Sequence, residues 1–308
     1  MQVWIYLDKF RQFYSTMKSE SELILNPKGN VYHLDLAPEM VAPICITVGD
    51  PDRVAQVSKY FDSVDYKITH REFITHSGRV NGSPIMVIST GISTDNIDIV
   101  FNELDALVNI DLIKKEVKET FTTIRFIRIG TSGTFDAAIP VDSLLINPFA
   151  FGLDSLMRFY PAAVKYPDDG WLASLAKNYQ DLFKEAYLGA ADPDLIQAIG
   201  KGLCAGITIT CPGFYGPQGR KLRLDTIYSN GVMEGLSDLN YAGYQFTNFE
   251  METAGIYGLA TALGHKAVSA NIILGNRITG EFSKNPNQAV EAGIKEIMQR
   301  LTQMISNQ

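Results

Sequence analysis

A chain of 308 residues, 46% hydrophobic and 20% charged, with 25 Gly and 13 Pro, has the make-up of an ordinary globular protein and the length for a sizeable core. Its formal net charge of -7 argues against nucleic acid or an anionic membrane surface as the main partner, while a small anion can still be held by local arginines. Cys45, Cys204 and Cys211 show neither metal spacing nor an even-numbered disulfide framework, which suits a reducing cytoplasm.

Met1 to Phe13 carries Asp8, Lys9 and Arg11 and has no sustained apolar run, so neither a signal peptide nor a membrane span is expected there. Trp4, Leu7, Phe10, Tyr14 and Met17 recur at helical spacing before the turn Pro27-Lys28-Gly29-Asn30, which predicts a helical extension over 1–30. With no Pro/Ser linker or break in composition, 31–308 reads as a single domain. Val31 to Leu36 reads as a short extended piece, in which His33 taken alone is a surface histidine. Pro43 to Val48 is a buried strand that stops at Gly49-Asp50-Pro51-Asp52-Arg53 and turns into a helix through Val54, Val57 and Phe61. Asp50 and Pro51 suit a helix start without any ligand, yet the same turn presents N–H groups at a helix N-terminus with Arg53 in its first turn.

Thr69 to Phe73 opens a hairpin-like stretch in which Arg71 and Glu72 read as a solvated pair, and Asn81-Gly82 is a type I′ turn. Ile85 to Ile88 is a strand closing on Ser89-Thr90-Gly91-Ile92; Asp95 to Val108 is the helix behind it, and Asp111 to Thr120 a charged helical segment. Ile124, Phe126, Ile127 and Ile129 then mark a central strand with Arg128 in its middle. A guanidinium keeps its proton, and burying it unpaired costs several kcal/mol, so an anion must meet it: a structural carboxylate or an oxyanion ligand. Gly130-Thr131-Ser132-Gly133 offers small residues, backbone N–H groups and two hydroxyls at the strand's carboxyl edge.

Ser143 to Ile146 is another strand, after which Phe151 to Gly202 departs from the rhythm, with a helix around Trp171 to Tyr187, another before Gly202 and no legible chemistry. Ala205 to Thr210 is a strand ending in a shaped Gly/Pro loop, Cys211 to Arg220. There Gln218 and Arg220 suit the edge of a flat heterocycle covered by Phe214, although a plain surface loop fits equally well. If Asn248-Phe249-Glu250-Met251-Glu252 is extended, both carboxylates face one pocket, where they accept hydrogen bonds as a sugar's vicinal hydroxyls require. Thr253 to Leu263 is a helix, Ala267 to Leu274 the last strand, ending in Gly275-Asn276-Arg277, and Thr279 to Asn287 has the character of a flap. Gln288 to Ile305 is an amphipathic helix. Alternating strands and helices predict an α/β fold with helices on both faces of a parallel or mixed sheet.

Gly49-Asp50-Pro51-Asp52-Arg53, His70-Arg71-Glu72-Phe73, Arg128 to Gly133, Phe214 with Gln218 and Arg220, Asn248 to Glu252, and Asn276-Arg277 follow one another as in the nucleoside phosphorylase-I family, which the chain resembles over roughly 31–290. The Phe/Gln/Arg loop resembles its uridine phosphorylase branch. The resemblance implies a three-layer α/β/α fold around a mixed, partly barrel-like sheet, and homodimers, commonly assembled into a hexamer, with active sites at the dimer interface. It implies that phosphate is held by Gly49, Arg53, Arg128 and Thr131 with Arg71 from the neighbouring subunit. Glu250, Met251 and Glu252, with the neighbour's His33, hold the ribose on this reading. Ser132, Gly133, Phe214, Gln218, Arg220 and Arg277 surround the base. Arg128, Gln218 and Arg220 carry the catalysis, reversible phosphorolysis of uridine to uracil and ribose 1-phosphate. Inorganic phosphate is the co-substrate and no organic cofactor is expected. In some relatives a monovalent cation, K+, binds between subunits at positions matching Glu72, Ile92 and Asn96. Where the family carries a Gly-Gly-Pro-Ser-like or Gly-Ile-Pro-Ser-like turn, this chain has Ser93-Thr94-Asp95-Asn96. The alternatives are a purine or broad-specificity phosphorylase or nucleosidase of the same fold, and a non-catalytic nucleoside-binding protein. Asn276-Arg277 where purine branches have an aspartate, and the arginine cluster that hydrolysis does not need, favour the pyrimidine phosphorylase.

Overall fold

Ile44-Cys45-Ile46-Thr47-Val48 is buried at every position, as a strand covered on both faces must be, and forms β1 (Ile44–Val48) at the centre of the computed structural model. The structure describes residues 18–228 and 232–307. The helical spacing of Trp4 to Met17 lies outside them; residues 18–30 are turns closed by an antiparallel bridge between Leu25 and Val31. After β1 come α1 (Asp52–Ser58), the antiparallel meander β2 (Ser63–His70), β3 (Phe73–Val80) and β4 (Ser83–Ser89), and α2 (Thr94–Asn109). A small hairpin of β5 (Ile110–Asp111) and β6 (Glu116–Val117) leads to β7 (Arg125–Thr134), β8 (Leu144–Ile146) and β9 (Phe149–Gly152). The segment without legible chemistry contains α3 (Asp169–Ser174), α4 (Lys177–Phe183), β10 (Tyr187–Ala190) and α5 (Pro193–Ile199). The chain ends with β11 (Cys204–Ala205), β12 (Ile207–Thr210), β13 (Asn240–Tyr241), β14 (Tyr244–Glu250), α6 (Thr253–Ala262), β15 (Lys266–Asn276) and α7 (Pro286–Ser306).

Alternation along the strands sorts the layers. Ile44, Ile46, Val48, Ile85, Val87, Ile127 and Ile129 pack with α1, α5 and α7 on one face; Cys45, Met86, Ile88 and Phe126 pack with α2 and α6 on the other. Arg128 shares the side of Phe126, so the pleat alone turns its guanidinium toward the α2/α6 layer. A third, aromatic cluster including Phe135, Phe151, Phe183, Phe246 and Phe249 fills the end of the sheet around β9, β12 and β14.

The thirteen-stranded sheet is mixed, and its path forks at β7. β15 runs parallel to β7 along one whole edge. On the other edge β1 pairs in parallel with Arg125 to Arg128, whereas β14 arrives antiparallel, with Phe249 opposite Gly133 and Asn248 opposite Thr134. The carboxyl ends of β1 and β14 therefore face each other across Ile129 to Ser132, which has no strand partner on that side. The mixed α/β architecture with helices on both faces of one large sheet is that expected from the sequence.

Local elements differ where side chains compete with the ladder. Asp111 to Thr120 is not helical: the Asp111 carboxylate accepts from the Ile113 and Lys114 amides at 3.0 Å each, closing a turn instead of a helix. Val31 to Leu36 is a turn rather than an extended piece, with Asp35 at φ 51° and its carboxylate bound by Asn26, Lys28 and Asn30. The helix expected over Trp171 to Tyr187 is broken into α3 and α4, and Tyr187 begins β10. Asn81-Gly82 has positive φ at both positions, as a type I′ turn demands.

Candidate active site

Arg128 is 5% exposed, and both anions it needs come from within the chain. Its Nη2 donates to Glu252 Oε2 at 2.6 Å and lies 3.4 Å from Glu250 Oε2, while Nη1 donates to Asn271 Oδ1 at 2.7 Å and to Ser269 Oγ at 3.4 Å. Gly130 makes this pose possible: a methyl there would stand 1.8 Å from Arg128 Nη1. Burial alone would pull Arg128 down, but the charges of Glu250 and Glu252 hold it above its ordinary value. Burial pushes Glu252 up, and Glu250 adds to this while Arg128 and the Ser93 N–H work against it; two carboxylates against one buried guanidinium leave Glu252 with a raised proton affinity.

The two glutamates meet one guanidinium because Glu250 ends β14 and Glu252 precedes α6, as the extended reading anticipated. Their tasks differ. Glu250 Oε2 accepts from the Glu252 and Thr253 amides at 2.9 and 2.7 Å and from Thr253 Oγ1 at 2.7 Å, and Oε1 accepts from Thr210 Oγ1. It caps the first turn of α6 through Oε2, which is fully engaged, while Oε1 accepts only from Thr210, so Glu250, expected at the ribose, also has a structural task. Glu252 has Oε1 on the Ser93 N–H at 2.7 Å and Oε2 on Arg128, and remains the sugar-facing candidate; Met251 lies between the two, half-buried.

Arg53 and Gly49 approach from the end of β1. The Arg53 guanidinium, partly buried, makes no hydrogen bond or ion pair among the described residues. Burial holds it below its ordinary value; Asp50 and Glu252 counter this, and Arg128 reinforces it, so each of the three lies within electrostatic reach of Arg53. Thr131 is half-buried on the unpaired stretch of β7.

The base-reading candidates gather at the far end of the same strand. Arg220 Nη1 donates to Gln218 Oε1 and to the Phe214 carbonyl, each at 2.6 Å, and the guanidinium carbon lies 3.6 Å from the Phe214 ring centre. Burial and the neighbouring Arg277 charge push Arg220 down to about 10. Gly133 faces them: a methyl on it would be 3.6 Å from Arg220 Nη2 and 3.9 Å from Arg277 Cδ. Arg277, expected beside the base, ties down the loop by donating to the Gln218 and Gly219 carbonyls at 2.7 and 3.2 Å. Ser132 Oγ donates to the Phe249 carbonyl at 2.6 Å and accepts from Asn248 Nδ2 at 2.8 Å, so it braces β14. A cavity of about 560 Å³, lined by Asp154, Leu182, Pro212, Pro217 and Tyr228 among others, belongs to the far side of this loop and includes none of the candidate residues.

His33 and Arg71, the two residues assigned to a neighbouring subunit, have no hydrogen bond or ion pair to the Arg128 cluster but lie together elsewhere. Arg71 stacks over Tyr32 at 5.3 Å, and His70 Nδ1 binds the His33 carbonyl at 2.8 Å. The His33 ring meets Glu103 through Nδ1 at 2.6 Å, which leaves Nε2 for a ligand. Glu72 and Asn96 flank Gly91, whose added methyl would be 3.7 Å from Glu72 Cγ and 2.5 Å from Asn96 Nδ2, and Ile92 beside them is 67% exposed. Among the described residues no group of three or more His, Cys, Asp or Glu is arranged to hold a metal ion.

An amide relay was not foreseen from the sequence: Asn271 Nδ2 donates to Asn147 Oδ1 at 2.7 Å, and Asn147 Nδ2 to Asn248 Oδ1 at 3.0 Å. It ties Arg128 to Ser132 through side chains that are all fully buried. Its signal was there, an asparagine within the apolar run Ala270-Asn271-Ile272, since a buried amide must find partners.

The Phosphorylase superfamily model matches residues 43–306. The chain is 32% identical over 257 residues to a uridine phosphorylase of Thermococcus kodakarensis, covering 83% of this chain and 81% of that one. It is 28% identical over 270 residues to a uridine phosphorylase of Haemophilus influenzae, covering 84% and 90%. A solved nucleoside phosphorylase of Trypanosoma brucei, described as showing uridine phosphorylase activity, superposes with a TM-score of 0.78 at 27% identity, over 91% of this chain and 99% of that one.

Proposed function

The chain belongs to the Phosphorylase superfamily, and on that footing we propose that it is a uridine phosphorylase, a pentosyltransferase that cleaves uridine with inorganic phosphate. The observation that carries this reading is the order of groups along β7: Arg128 with Glu252, then Thr131, then Gly133 against Arg220 and Gln218. One strand thus lays out an anion and sugar end and a heterocycle end.

Phosphate is assigned to Arg53, Arg128, Thr131 and the Gly49 N–H, with Arg71 of the partner subunit. Within one chain Arg53 and Arg128 are offset by the carboxylates Asp50, Glu250 and Glu252, so the partner's Arg71 is needed to add positive charge for a phosphate dianion. This argument supports a homodimer as the working unit, with hexamers built from it. Glu252 accepts from the ribose hydroxyls, Met251 packs against the ring, and His33 of the partner subunit offers Nε2 to the 5′-hydroxyl. As the C1′–N1 bond breaks, its electron pair passes to uracil and positive charge grows on the sugar. Arg220 and the Gln218 amide stabilise the uracil anion, and a phosphate oxygen bonds to C1′. The acceleration comes from alignment and electrostatic preorganisation, without a general acid at N1. Glu72, Asn96 and the Ile92 carbonyl are assigned as half of an intersubunit K+ site: a carboxylate and a side-chain amide flanking Gly91 offer oxygens to a hard cation, which takes the rest from the second chain. No helix among the described residues is long and apolar enough to cross a membrane, and a cytoplasmic location is part of the proposal.

Uracil release from uridine, followed by absorbance with and without phosphate, tests the reading. Phosphate-dependent release is expected. Equal release without phosphate refutes phosphorolysis, and binding without turnover reduces the protein to a nucleoside-binding module.

A further inference from the structure

Ser93 adopts φ 84° and ψ 162°, a region occupied almost only by glycine because a Cβ is crowded there. Three contacts hold the turn in place. The Ser93 N–H donates to Glu252 Oε1 at 2.7 Å, the Thr90 N–H donates to the Val48 carbonyl at 2.8 Å, and Thr94 is buried against α6, where a methyl on Gly255 would stand 2.8 Å from Thr94 Cγ2. None of these uses the Ser93 side chain, and a glycine at 93 would satisfy them without strain. What they leave unexplained is the side chain. It is half-buried, and its hydroxyl makes no hydrogen bond among the described residues.

That hydroxyl is three covalent bonds from the nitrogen that meets Glu252. Arg128 already occupies the other carboxylate oxygen, so a sugar hydroxyl arriving at Glu252 comes within reach of Ser93. We propose that Ser93 is a substrate-contacting residue: its hydroxyl joins Glu252 in binding the ribose hydroxyls, a polar contact held in place by a strained backbone. The inference rests on the nucleoside reading of the site and adds a specificity-determining group to it.

Ser93→Ala removes the hydroxyl and keeps the backbone crowded; Ser93→Gly removes the hydroxyl and relaxes the backbone. Each is measured for uridine and phosphate KM, for binding of uridine and of free uracil by calorimetry, and for urea unfolding. Losing one neutral hydrogen bond predicts uridine binding weakened by about three- to tenfold in both variants. Uracil, which has no sugar, binds as before, phosphate KM is unchanged, and Ser93→Gly is at least as resistant to urea as the wild type. Uridine binding by Ser93→Ala equal to wild type overturns the inference, as does a loss confined to phosphate KM or shared equally by uracil. Ser93→Gly unfolding at lower urea than wild type overturns the strain argument. A wild-type protein that binds no uridine fails the nucleoside reading itself, whereas one that turns over uridine identically with and without the Ser93 hydroxyl fails this inference alone.

Discussion

Replacing Arg128 by alanine removes the one guanidinium that two buried carboxylates share, at 2.6 Å from Glu252 and 3.4 Å from Glu250. Breaking a buried pair by deleting one partner costs about 3–5 kcal/mol, because the other charge stays behind, poorly solvated and without its counter-ion. Against a total stability of about 5–15 kcal/mol this is a large share, and at a urea m-value of about 3 kcal/mol/M it lowers the unfolding midpoint by roughly 1–1.7 M. The loss depends on pH. Glu252 already has its proton affinity raised by burial, and without Arg128 the attraction that countered this disappears. A carboxyl whose folded pKa exceeds its unfolded value, about 4.3, contributes stability below that value and loses it as pH rises through the folded pKa. The deficit of Arg128→Ala relative to wild type is therefore smallest near pH 4 and widens toward pH 8. Adding Glu252→Gln takes away one unpaired charge and recovers part of the midpoint at pH 8. Turnover falls by at least 10²-fold, the order expected when a preorganised charge is lost. Urea titrations at pH 4.5 and 8 of wild type, Arg128→Ala and the double variant provide the assay. An Arg128→Ala midpoint equal to wild type, or a deficit unchanged across that range, refutes the pairing argument.

Gly130→Ala places a methyl on the Arg128 guanidinium and must displace it, so both urea midpoint and turnover should drop toward those of Arg128→Ala; a fully active, stable variant would show that the close approach is dispensable. Gln218→Ala leaves phosphate KM unchanged and lowers the uridine-to-inosine ratio of kcat/KM by about tenfold, since one base-edge contact is lost; an unaltered ratio counts against base reading by Gln218. Arg277→Met frees the Gln218 and Gly219 carbonyls, and is expected to raise uridine KM severalfold and to speed proteolysis within 211–220, whereas unchanged proteolysis would deny the clamp.

Much of the site was legible because its signals are local. An arginine in an apolar strand, a Gly-Thr-Ser-Gly edge and two glutamates two apart each carry their chemistry in consecutive residues, and the structure brings Arg128 and Glu252 to one place. The division of labour between the glutamates was not legible. Glu250 is drawn to the α6 amides and Thr210 because β14 lies beside β12, a neighbour supplied from forty residues away in the chain. Nor was it legible that Arg277 ties down the loop through the Gln218 and Gly219 carbonyls, partners supplied from almost sixty residues away.

By itself the sequence determined the fold class, the strand alternation that turns Arg128 toward α2 and α6, and the inventory of charged and polar groups at the strand ends. Those follow from covalent geometry and solvation, which act residue by residue. Only the tertiary structure decided which carboxylate caps a helix and which pairs with Arg128 and the Ser93 N–H, how the asparagines of β14, β15 and the turn after β8 link Arg128 to Ser132, and that Ser93 carries a side chain in a glycine conformation beside Glu252. Each of these depends on hydrogen bonds between segments remote in sequence, whose distances are set by packing and leave no periodic trace in the chain.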